Sequence, residues 1–568
     1  MPLTSWAMPP SSNTQVTVSP TFTVIELGEY VIALTVTTGP LRVVSGVVGV
    51  ESVLELHPTR PAVSTRPANI GTRRDFMVPR VASGKTKGSG MRGYYTADQV
   101  REAESPLLAS LPDGVLMRRA AYGLARVIAS ELRLYTGSLA SKAVTLLVGS
   151  GDNGGDALWA GAFLRKRGVA VRAVLLDPER AHSRGLEAFL RAGGRVESDL
   201  GTPDLVVDGI VGISGRGSLR SAAAALVEQV RCPIVAVDLP SGVDANTGGV
   251  DGPAVTAAVT VTFGALKPVH VLAPQRCGRV ELIDIGLDLG EPNFGSLDPA
   301  DVGALWPVPG PSDDKYSQGV VGVVAGSERY PGAGVLCTGA AVTATSGLVR
   351  YAGHGIAEVL SRFPEVIASE TFDDAGRVQA WVVGPGMGTD ADAAALLASV
   401  LATDVPVLVD ADGLTLLAEN LDLACRRSAP TLLTPHAGEY ARLAGTEVGA
   451  DRVGAARALA SDLGVTVLLK GHTTVISDPG GEVLVNDAGG SWASTAGSGD
   501  VLSGVIGALL AAGLAPLDAA AAGARAHALA ANVAASGGAD VAGAPISASP
   551  LLASVRDAVR VLRSFAHD

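Results

Sequence analysis

The sequence predicts an α/β protein made of two domains in tandem, each built on a parallel sheet. At 568 residues, the chain is too long for a single ordinary hydrophobic core. Short apolar runs alternate with helix-like segments in two successive series, and a Pro/Gly-rich stretch at 306–311 separates the two. The 70 glycines and the 4% of aromatic residues favour tight turns and the packing of small side chains.

The strand candidates are short apolar runs that end in polar residues or glycine. In the first series they are 144–148, 171–176, 205–208 and 234–238. In the second series they are 319–326, 380–383, 407–410, 431–433 and 465–470, and an alanine-rich helical tail follows at about 501–566. This β-α-β alternation predicts parallel sheets that are covered by helices on both faces.

Residues 1–90 differ in composition from the rest of the chain. Strand-like pieces at 15–18 and 30–36 precede a Pro/Arg/Ser-rich tail, which is typical of a disordered linker. We expect the functional protein to begin near Met91. The predicted organisation is an N-terminal extension at 1–90, a first domain at 91–290, a linker at 291–311 and a second domain at 312–568. At the start of the first domain, Thr96 is predicted to cap a helix.

Charge and cysteine usage narrow the class of protein. The net charge of −12 leaves no basic surplus to neutralise phosphates, which argues against a nucleic-acid-binding protein. No stretch has the length and composition of a membrane span or a signal peptide, so we expect a cytoplasmic protein. The alanine-rich helical faces favour a homo-oligomer. The four cysteines match no metal or disulfide spacing, and we expect them to be buried in a reducing compartment. They are Cys232, Cys277, Cys337 and Cys425.

The most informative segment is 494–500, where small residues lead into an apolar helix-like run and Asp500 lies at the junction. The first N–H groups of a helix have no internal partners, so such a junction can hold an anion. Glycines let a phosphate approach the backbone. An aspartate in the first turn can accept the proton of a hydroxyl that attacks the phosphate. The structural alternative is an ordinary N-capped helix.

Four strand ends of the first domain carry polar residues or glycines. Residues 149–156 formally contain G-x-G-x-x-G before a helix predicted at 157–166, so a Rossmann dehydrogenase is one hypothesis. The other strand ends carry Asp208, Asp238 and Lys267. Because ligands of open α/β sheets bind beyond the carboxyl ends of the strands, these residues are predicted to share one pocket.

These residues, in this order, resemble the YjeF N-terminal domain, the NAD(P)H-hydrate epimerase family, over about 91–290. The resemblance implies a Rossmann-like three-layer domain, with Asp238 as acid/base and Lys267 as its partner. It also implies a potassium ion bound by Asn153, Asp208 and Ser241. The residues that it assigns to the hydrated dinucleotide are Asp152, Asn153, Gly154, Gly155, Asp156, Gly212, Ile213, Ser214, Gly215, Arg216, Gly217, Ser218 and Asp238. Asp152 departs from the family, which usually has asparagine there.

The second domain has glycines and polar residues at many strand-to-loop junctions. Together with 499–500, the segments 315–319, 326–327, 330–334, 384–388, 410–413, 434–439 and 470–474 resemble the YjeF C-terminal domain. This family comprises the ribokinase-like ADP/ATP-dependent NAD(P)H-hydrate dehydratases, and the resemblance covers about 312–565. It places Gly386, Gly388, His436 and Asp500 at the hydrated nucleotide, with Asp500 as the base. It places Lys470, Gly471, His472, Thr473, Thr474 and Gly499 at the phosphate donor, which we expect to carry Mg²⁺ on charge grounds.

The two resemblances together imply a bifunctional enzyme of metabolite repair. The first domain would interconvert the R and S epimers of NAD(P)H hydrate, and the second would dehydrate the S epimer with ADP or ATP. Phosphorylation turns the hydroxyl of the hydrate into a good leaving group. The alternative is a ribokinase-like small-molecule kinase fused to a nucleotide-binding module without epimerase activity.

Overall fold

The computed structural model describes the backbone of 23–27 and 30–34, and residues 91–215, 217–345, 347–487, 489–537 and 543–566. The chain divides into two compact units, Met1–Arg74 and Asp75–Asp568. In the first unit, β1 (Thr23–Leu27) and β2 (Tyr30–Leu34) form an antiparallel pair. The predicted strand at 15–18 and the predicted disordered linker lie outside the described residues.

The first half of the second unit contains eight strands and seven helices among the described residues. In chain order they are β3 (Met91–Tyr94), α1 (Ala97–Ser110), α2 (Val115–Thr136), β4 (Ala143–Val148), α3 (Asp152–Arg165), β5 (Ala170–Leu175), α4 (Ser183–Arg191), β6 (Arg195–Val196), β7 (Leu205–Gly209), α5 (Ser221–Val227), β8 (Ile234–Val237), β9 (Val259–Phe263), α6 (Val269–Leu272), α7 (Pro274–Cys277) and β10 (Arg279–Ile283). Thr96 caps α1, as predicted, and Gln99 completes a capping box.

Seven of these strands form a parallel sheet in the order β10-β9-β8-β7-β4-β5-β6. Successive residues of β4 face opposite cores: Leu146 packs in a cluster with α2 and α3, whereas Leu147 packs in a cluster with α5. The sheet is therefore covered on both faces, and the predicted three-layer fold is confirmed. The strand order reverses between β4 and β7, so their carboxyl ends flank the crevice in which open α/β sheets bind ligands.

The second half supplies the second domain. Its elements are β11 (Phe294–Leu297), α8 (Pro299–Leu305), β12 (Val320–Val324), α9 (Pro331–Ala344), β13 (Leu348–Ala352), α10 (Ile356–Arg362), β14 (Ile367–Ser369), β15 (Ala380–Val383), α11 (Ala391–Leu401), β16 (Val407–Val409), α12 (Asp412–Leu417), α13 (Asp422–Cys425), β17 (Thr431–Leu433), α14 (Ala437–Ala444), α15 (Arg452–Leu463), β18 (Thr466–Leu469), β19 (Thr473–Ser477), β20 (Val483–Asp487), α16 (Ser498–Ala511), α17 (Pro516–Ser536) and α18 (Ala548–Ser564).

The sheet of the second domain has eleven strands in the order β14-β13-β12-β15-β16-β17-β18-β19-β20-β11-β3. The run from β14 to β18 is parallel, and β19 and β20 add antiparallel strands. At the far edge, β11 pairs in parallel with β20 and antiparallel with β3. The strand β3 thus belongs to this sheet, although the sequence analysis placed Met91 at the start of the first domain. The first domain is inserted between two neighbouring strands of the second sheet.

The helix predicted at 157–166 begins earlier, because α3 starts at Asp152. The low helix propensity of Gly154 and Gly155 concealed this start from the sequence. Tertiary packing explains the glycine at 154, where a Cβ would overlap the carbonyl oxygen of Gly149. Two cysteines, Cys277 and Cys337, are buried as expected, Cys232 is half-buried and Cys425 is exposed. None of the helices in the described part of the chain is long and apolar enough to span a membrane.

The helix α16 is held against α9 by the absence of a side chain at Gly504. A Cβ at this position would overlap the carbonyl oxygen of Cys337 and crowd the methyl group of Ala340. The same helix approaches β15 at Gly507, where a Cβ would overlap Val382. These two close approaches fix the height of α16 over the sheet, and the first turn of this helix carries Asp500.

We expect Gly504→Ala to lower the free energy of unfolding by about 2 kcal/mol, because the added methyl group forces two helices apart. Urea denaturation measures the change. The matched control is Gly332→Ala in α9, where a Cβ meets nothing within 4 Å. This control is expected to be neutral or stabilising, because alanine favours a helix. An equal loss in both variants would show that the α16–α9 contact is not tight.

Candidate active sites

Asp238 lies directly after β8 in a strained turn of the first domain. Its φ is +68°, and the N–H of Leu239 donates to the carbonyl of Val237 at 2.8 Å, which closes a γ-turn around Asp238. A left-handed conformation is uncommon for a residue with a side chain and costs free energy. Asn153 donates its side-chain N–H to the same carbonyl of Val237 at 2.6 Å. The turn is thereby fixed, and the carboxyl of Asp238 is aimed beyond the end of the strand.

The structure brings Lys267 onto Asp238. The ammonium group of Lys267 is 1% exposed and lies 2.5 Å from Oδ1 of Asp238. Thr262 on β9 donates its hydroxyl to the same oxygen at 3.0 Å, and Lys267 also contacts that hydroxyl at 2.8 Å. A buried lysine stays charged only beside such a partner, so the pair forms a fixed donor and acceptor inside the domain.

Asp208, at the carboxyl end of β7, is fully buried and has only neutral donors. Ser241 donates its backbone N–H at 2.9 Å and its hydroxyl at 2.7 Å, and the N–H of Ile210 adds a third bond at 3.2 Å. Burial raises the pKa of Asp208 to about 6, although the Ser241 bonds oppose this shift. Among the described residues, no lysine or arginine pairs with this carboxyl group.

The glycine-rich segment predicted to hold a dinucleotide forms the start of α3. The N–H groups of its first turn, from Asp152 to Gly154, have no partners within the helix. The loop 212–218 lies beside it, because a Cβ at Gly212 would overlap the side chain of Asn153. The structure therefore brings the two predicted dinucleotide segments together. Arg216 lies outside the described residues.

Asp156 is buried within α3, and its Oδ1 accepts no hydrogen bond from the described residues. Burial raises the pKa of Asp156 well above its usual value, and the carboxylates of Asp238 and Asp152 raise it further. The carboxyl of Glu104 on α1 is also affected, because burial raises its pKa and Lys267 opposes the shift. A set of carboxyl groups thus surrounds the Asp238–Lys267 pair.

In the second domain, Asp500 occupies the first turn of α16, as predicted. Burial raises the pKa of Asp500 to about 7, and the nearby carboxylate of Asp410 contributes in the same direction. Lys470 lies 2.6 Å from Oδ1 of Asp410, and Ser503 donates its hydroxyl to Oδ2 at 2.7 Å. Asp410 is therefore fully engaged, whereas Asp500 is the carboxyl group that can exchange a proton near neutral pH.

The backbone around Asp410 is strained in a similar way to that around Asp238. Ala411 has a φ of +50°, and only three residues other than glycine have a positive φ in the described part of the chain. Two of these three, Asp238 and Ala411, lie at the candidate sites. Strained residues concentrate at functional sites, since the surrounding structure must hold them in place.

Gly386 and Gly388 lie in the loop after β15, beside the reversal of strand order between β12 and β15. Both have positive φ values, and the N–H of Gly388 donates to Asp412 at 2.9 Å. The N–H of Gly326, after β12, donates to the carbonyl of Pro385 at 2.8 Å. The loops that flank the crevice are therefore joined.

His436 caps α14. Its Nδ1 accepts the N–H groups of Gly438 and Glu439, while the carboxyl of Glu439 accepts the N–H of His436 at 2.8 Å. The side chain of His436 is 57% exposed, so one edge of the ring stays open to a ligand. Glu439 lies 3.8 Å from the ammonium of Lys470, which connects this cap to Asp410.

The predicted nucleotide-binding residues 470–474 do not all lie in the same environment in the structure. Lys470 and His472 are accessible, and Gly499 lies near Lys470, because a Cβ on it would come 3.7 Å from Nζ. Thr473 is buried and donates its hydroxyl to the carbonyl of Val271 in the first domain at 2.5 Å. The Thr473 side chain thus contacts the other domain and does not face the site.

Comparison with known proteins shows which families share these features. The model of the NAD(P)H-hydrate dehydratase family matches residues 321–548, and that of the YjeF-related protein N-terminus matches 113–269. The bifunctional NAD(P)H-hydrate repair enzyme Nnr of Mycobacterium tuberculosis is 65% identical over 435 residues, which cover 76% of this chain and 92% of that protein. The chain belongs to the family of bifunctional NAD(P)H-hydrate repair enzymes. The Nnr enzyme of Mycobacterium leprae is 63% identical over 78% of this chain and 94% of its own length.

A solved structure that is similar to part of this chain is the ADP/ATP-dependent NAD(P)H-hydrate dehydratase from Bacillus subtilis, co-crystallized with ATP/Mg²⁺. It is 25% identical, covers 48% of this chain and 98% of its own length, and superposes with a TM-score of 0.41.

The sequence analysis assigned no role to several polar residues that the structure places at the two candidate sites. They are Thr262, His270, Asp410, Glu439 and Ser503. Asp410 and Glu439 stood in the quoted motifs: Asp410 directly follows β16, and Glu439 lies in the first turn of α14. Ser503 lies one helical turn after Asp500, and this spacing alone did not distinguish it from the apolar residues of α16.

We expect the stability of Asp500→Asn, relative to the wild type, to rise with pH between about 4 and 7. In the unfolded chain the Asp500 carboxyl ionises near 3.8, whereas in the folded chain its pKa is raised to about 7. The folded state therefore binds the extra proton in this window, and wild-type stability falls as the pH rises through it. The amide does not titrate, so the variant escapes this loss.

Urea denaturation at pH 5 and pH 8 measures the difference in the free energy of unfolding. The control is Asp557→Asn on α18, whose side chain is 58% exposed and therefore screened by solvent. A difference between Asp500→Asn and the wild type that is the same at both pH values would contradict the raised pKa.

Proposed function

We propose that the first domain epimerises the R and S forms of NAD(P)H hydrate, and that the second dehydrates the S form with ADP or ATP. The observation that carries this proposal is the 65% identity to a bifunctional NAD(P)H-hydrate repair enzyme, which spans both domains. The fusion is chemically sensible, because the second reaction consumes one epimer and the first replenishes it.

The dehydratase site supplies a general base and backbone N–H groups that can stabilise an anion. Asp500, with a pKa raised to about 7, accepts the proton of the hydrate hydroxyl as its oxygen attacks the terminal phosphate. The N–H groups of Gly499 and Asp500, in the first turn of α16, have no partner within the helix and stabilise the charge that develops on the phosphate oxygens. Lys470 is held near this turn by Asp410 and can contact the same phosphate. Loss of the phosphate, together with a proton from the adjacent ring carbon, then restores the double bond of the reduced ring.

The epimerase site supplies a proton acceptor and a proton donor. Inverting the carbon that bears the hydroxyl requires its C–O bond to break and to form again on the other face. Lys267 gives a proton to the departing hydroxyl, which leaves as water, and Asp238, at 2.5 Å from Lys267, takes a proton from the water that adds to the opposite face. Transfer of a proton from Asp238 to Lys267 restores both groups. The N–H groups at the start of α3 and the loop 212–218 hold the dinucleotide phosphates.

A potassium ion fits the group around Asp208. The carboxyl group is fully buried and has only the neutral donors Ser241 and Ile210, so its negative charge has no balancing cation among the described residues. Asn153 lies alongside, against Gly212. When bound, potassium would balance this charge and help to anchor a phosphate. Carboxylate, hydroxyl and amide oxygens suit a large monovalent cation.

Three further proposals concern the metal ion, the cellular location and the oligomeric state. Mg²⁺ enters with the nucleotide as part of the substrate complex, because the site already holds several carboxylates and must accept an anionic phosphate chain. The protein acts in the cytoplasm, where its substrates arise. It forms a homo-oligomer, although the alanine-rich face of α17 that favoured one is buried within the chain. The small-molecule kinase alternative is not favoured, because the family model that matches 321–548 is that of NAD(P)H-hydrate dehydratases.

We expect Asp500→Asn to lose dehydration by at least about 100-fold while epimerisation persists, because the general base is removed. For Asp238→Asn we expect the converse: only the S epimer is still consumed quickly. Recovery of reduced-nicotinamide absorbance from a mixed R/S hydrate measures dehydration, with ADP and ATP supplied in separate reactions. Chromatographic separation of the epimers measures epimerisation directly.

Each variant is the control for the other, since both activities are measured in one chain. Rapid full recovery by the wild type supports both activities and identifies the donor. Release of a phosphorylated product instead of free phosphate would favour the kinase. Unimpaired consumption of the R epimer by Asp238→Asn, corrected for the slow spontaneous reaction, would remove Asp238 from its proposed role.

We expect potassium to stabilise the first domain by about 1 kcal/mol at concentrations several times its Kd. The measurement is urea denaturation in potassium chloride and in choline chloride at equal ionic strength. In Asp208→Asn, which loses the uncompensated charge, the difference between the two salts should disappear. A potassium response that survives in this variant would place the ion elsewhere.

A further inference from the structure

His270 lies three residues after Lys267, in the short helix α6, and is 6% exposed. Both nitrogens of its ring are engaged. Nδ1 lies 2.9 Å from the backbone nitrogen of Lys267, and Nε2 lies 2.9 Å from the carbonyl oxygen of Asp238. One buried ring therefore contacts the main chain of both residues that are proposed to move the proton.

The two contacts fix the tautomer of His270. A backbone N–H can only donate, so Nδ1 accepts the hydrogen bond from Lys267 and carries no proton. The proton of the neutral ring then lies on Nε2, which donates to the carbonyl of Asp238. Burial lowers the pKa of His270 to about 4, and the ammonium of Lys267 contributes in the same direction. The ring is therefore neutral near pH 7.

The bond to Asp238 acts on a strained part of the backbone. Asp238 is held at a φ of +68°, and the carbonyl before it already accepts from Leu239 and Asn153. The carbonyl that follows, that of Asp238 itself, accepts the hydrogen bond from His270. The peptide groups on both sides of Asp238 are thus held, and the strained turn cannot relax by rotating either of them. Relaxation would swing the carboxyl of Asp238 away from Lys267.

We propose that His270 is a positioning residue of the epimerase site, which locks Asp238 and Lys267 into one geometry through its Nε2–H tautomer. The inference rests on the proposed role of Asp238 and Lys267 in epimerisation. The hydrogen bonds of the ring to these two residues go to their main chain, and the ring takes no proton from the substrate. Its contribution is the direction in which their side chains point.

Replacing His270 with leucine, glutamine and asparagine separates the two contacts. Leucine makes neither hydrogen bond, and we expect kcat for epimerisation to fall by about 100-fold with little change in KM, because a small displacement of a reacting group has an effect of this size. Glutamine can place an N–H donor near the position of Nε2 and should recover much of the loss. Asparagine can reach only the N–H of Lys267 and should recover less.

Dehydration of the S epimer by the same chain reports on folding, because His270 lies in the other domain. The matched control is His527→Leu, which removes a similarly buried histidine whose Nε2 lies 2.9 Å from the carbonyl of Ser498 in the second domain. We expect this variant to retain epimerisation. Should His270→Leu lose both activities, the glutamine variant decides, since it preserves the bond to Asp238.

Two results would overturn the inference: full epimerisation by His270→Leu, or equal losses in the leucine and glutamine variants while dehydration is intact. A wild type that does not epimerise would instead refute the proposed function. ¹⁵N NMR of histidine-labelled protein tests the tautomer of His270 independently of enzymatic activity. The Nε2–H tautomer is expected for His270, and an Nδ1–H tautomer, assigned by comparison with His270→Gln, would contradict it.

Discussion

The need to satisfy buried carboxyl groups is the constraint on which both sites depend. Parallel strands deliver aspartates to the same edge of each sheet, in a place from which most water is excluded. A carboxylate there must find donors or take up a proton. Asp238 and Asp410 each find a lysine and a hydroxyl. Both domains therefore stabilise a buried aspartate with a lysine and a hydroxyl group, although the two aspartates lie on separate sheets.

Two buried carboxyl groups lack such a pair of partners, and their pKa values are raised. Asp156 has a buried oxygen without a hydrogen bond, and Asp500 depends on a lysine that is already engaged with Asp410. In both cases burial raises the pKa. Fixed charges beside a titratable group are an arrangement that suits proton transfer, because the geometry is set before the proton moves. In the second domain, Asp410 thus orients Lys470, and Asp500 is the group proposed to react.

The domain boundary is not a boundary of the hydrophobic core. One cluster of buried residues includes Leu266 and Val269 of the first domain together with Val467 and Val485 of the second. The hydrogen bond from Thr473 to Val271 crosses the same junction. The helix that carries His270 is therefore supported by the strand that follows Lys470. The candidate epimerase site is therefore braced in part by the second domain.

Much of this architecture could be predicted from the sequence. The apolar runs marked the parallel strands of both domains, and Thr96 and Asp500 lie at helix starts as their neighbours indicated. Two features could not be foreseen. The start of α3 at Asp152 depends on packing that only glycine permits, which local propensity penalises. The roles of His270 and Thr473 depend on partners distant in sequence, and no periodicity reveals which carbonyl group a buried side chain will reach.

The pairing of β3 with β11 has a consequence for the order in which the protein is made. The ribosome releases β3 before the whole first domain, but its partner β11 emerges only after that domain, and β20, on which β11 pairs, emerges much later. The edge of the second sheet therefore stays open while the first domain folds. The folded first domain then brings the two strands together, since both of its ends leave it beside each other. Completion of this edge of the second sheet thus follows the folding of the first domain.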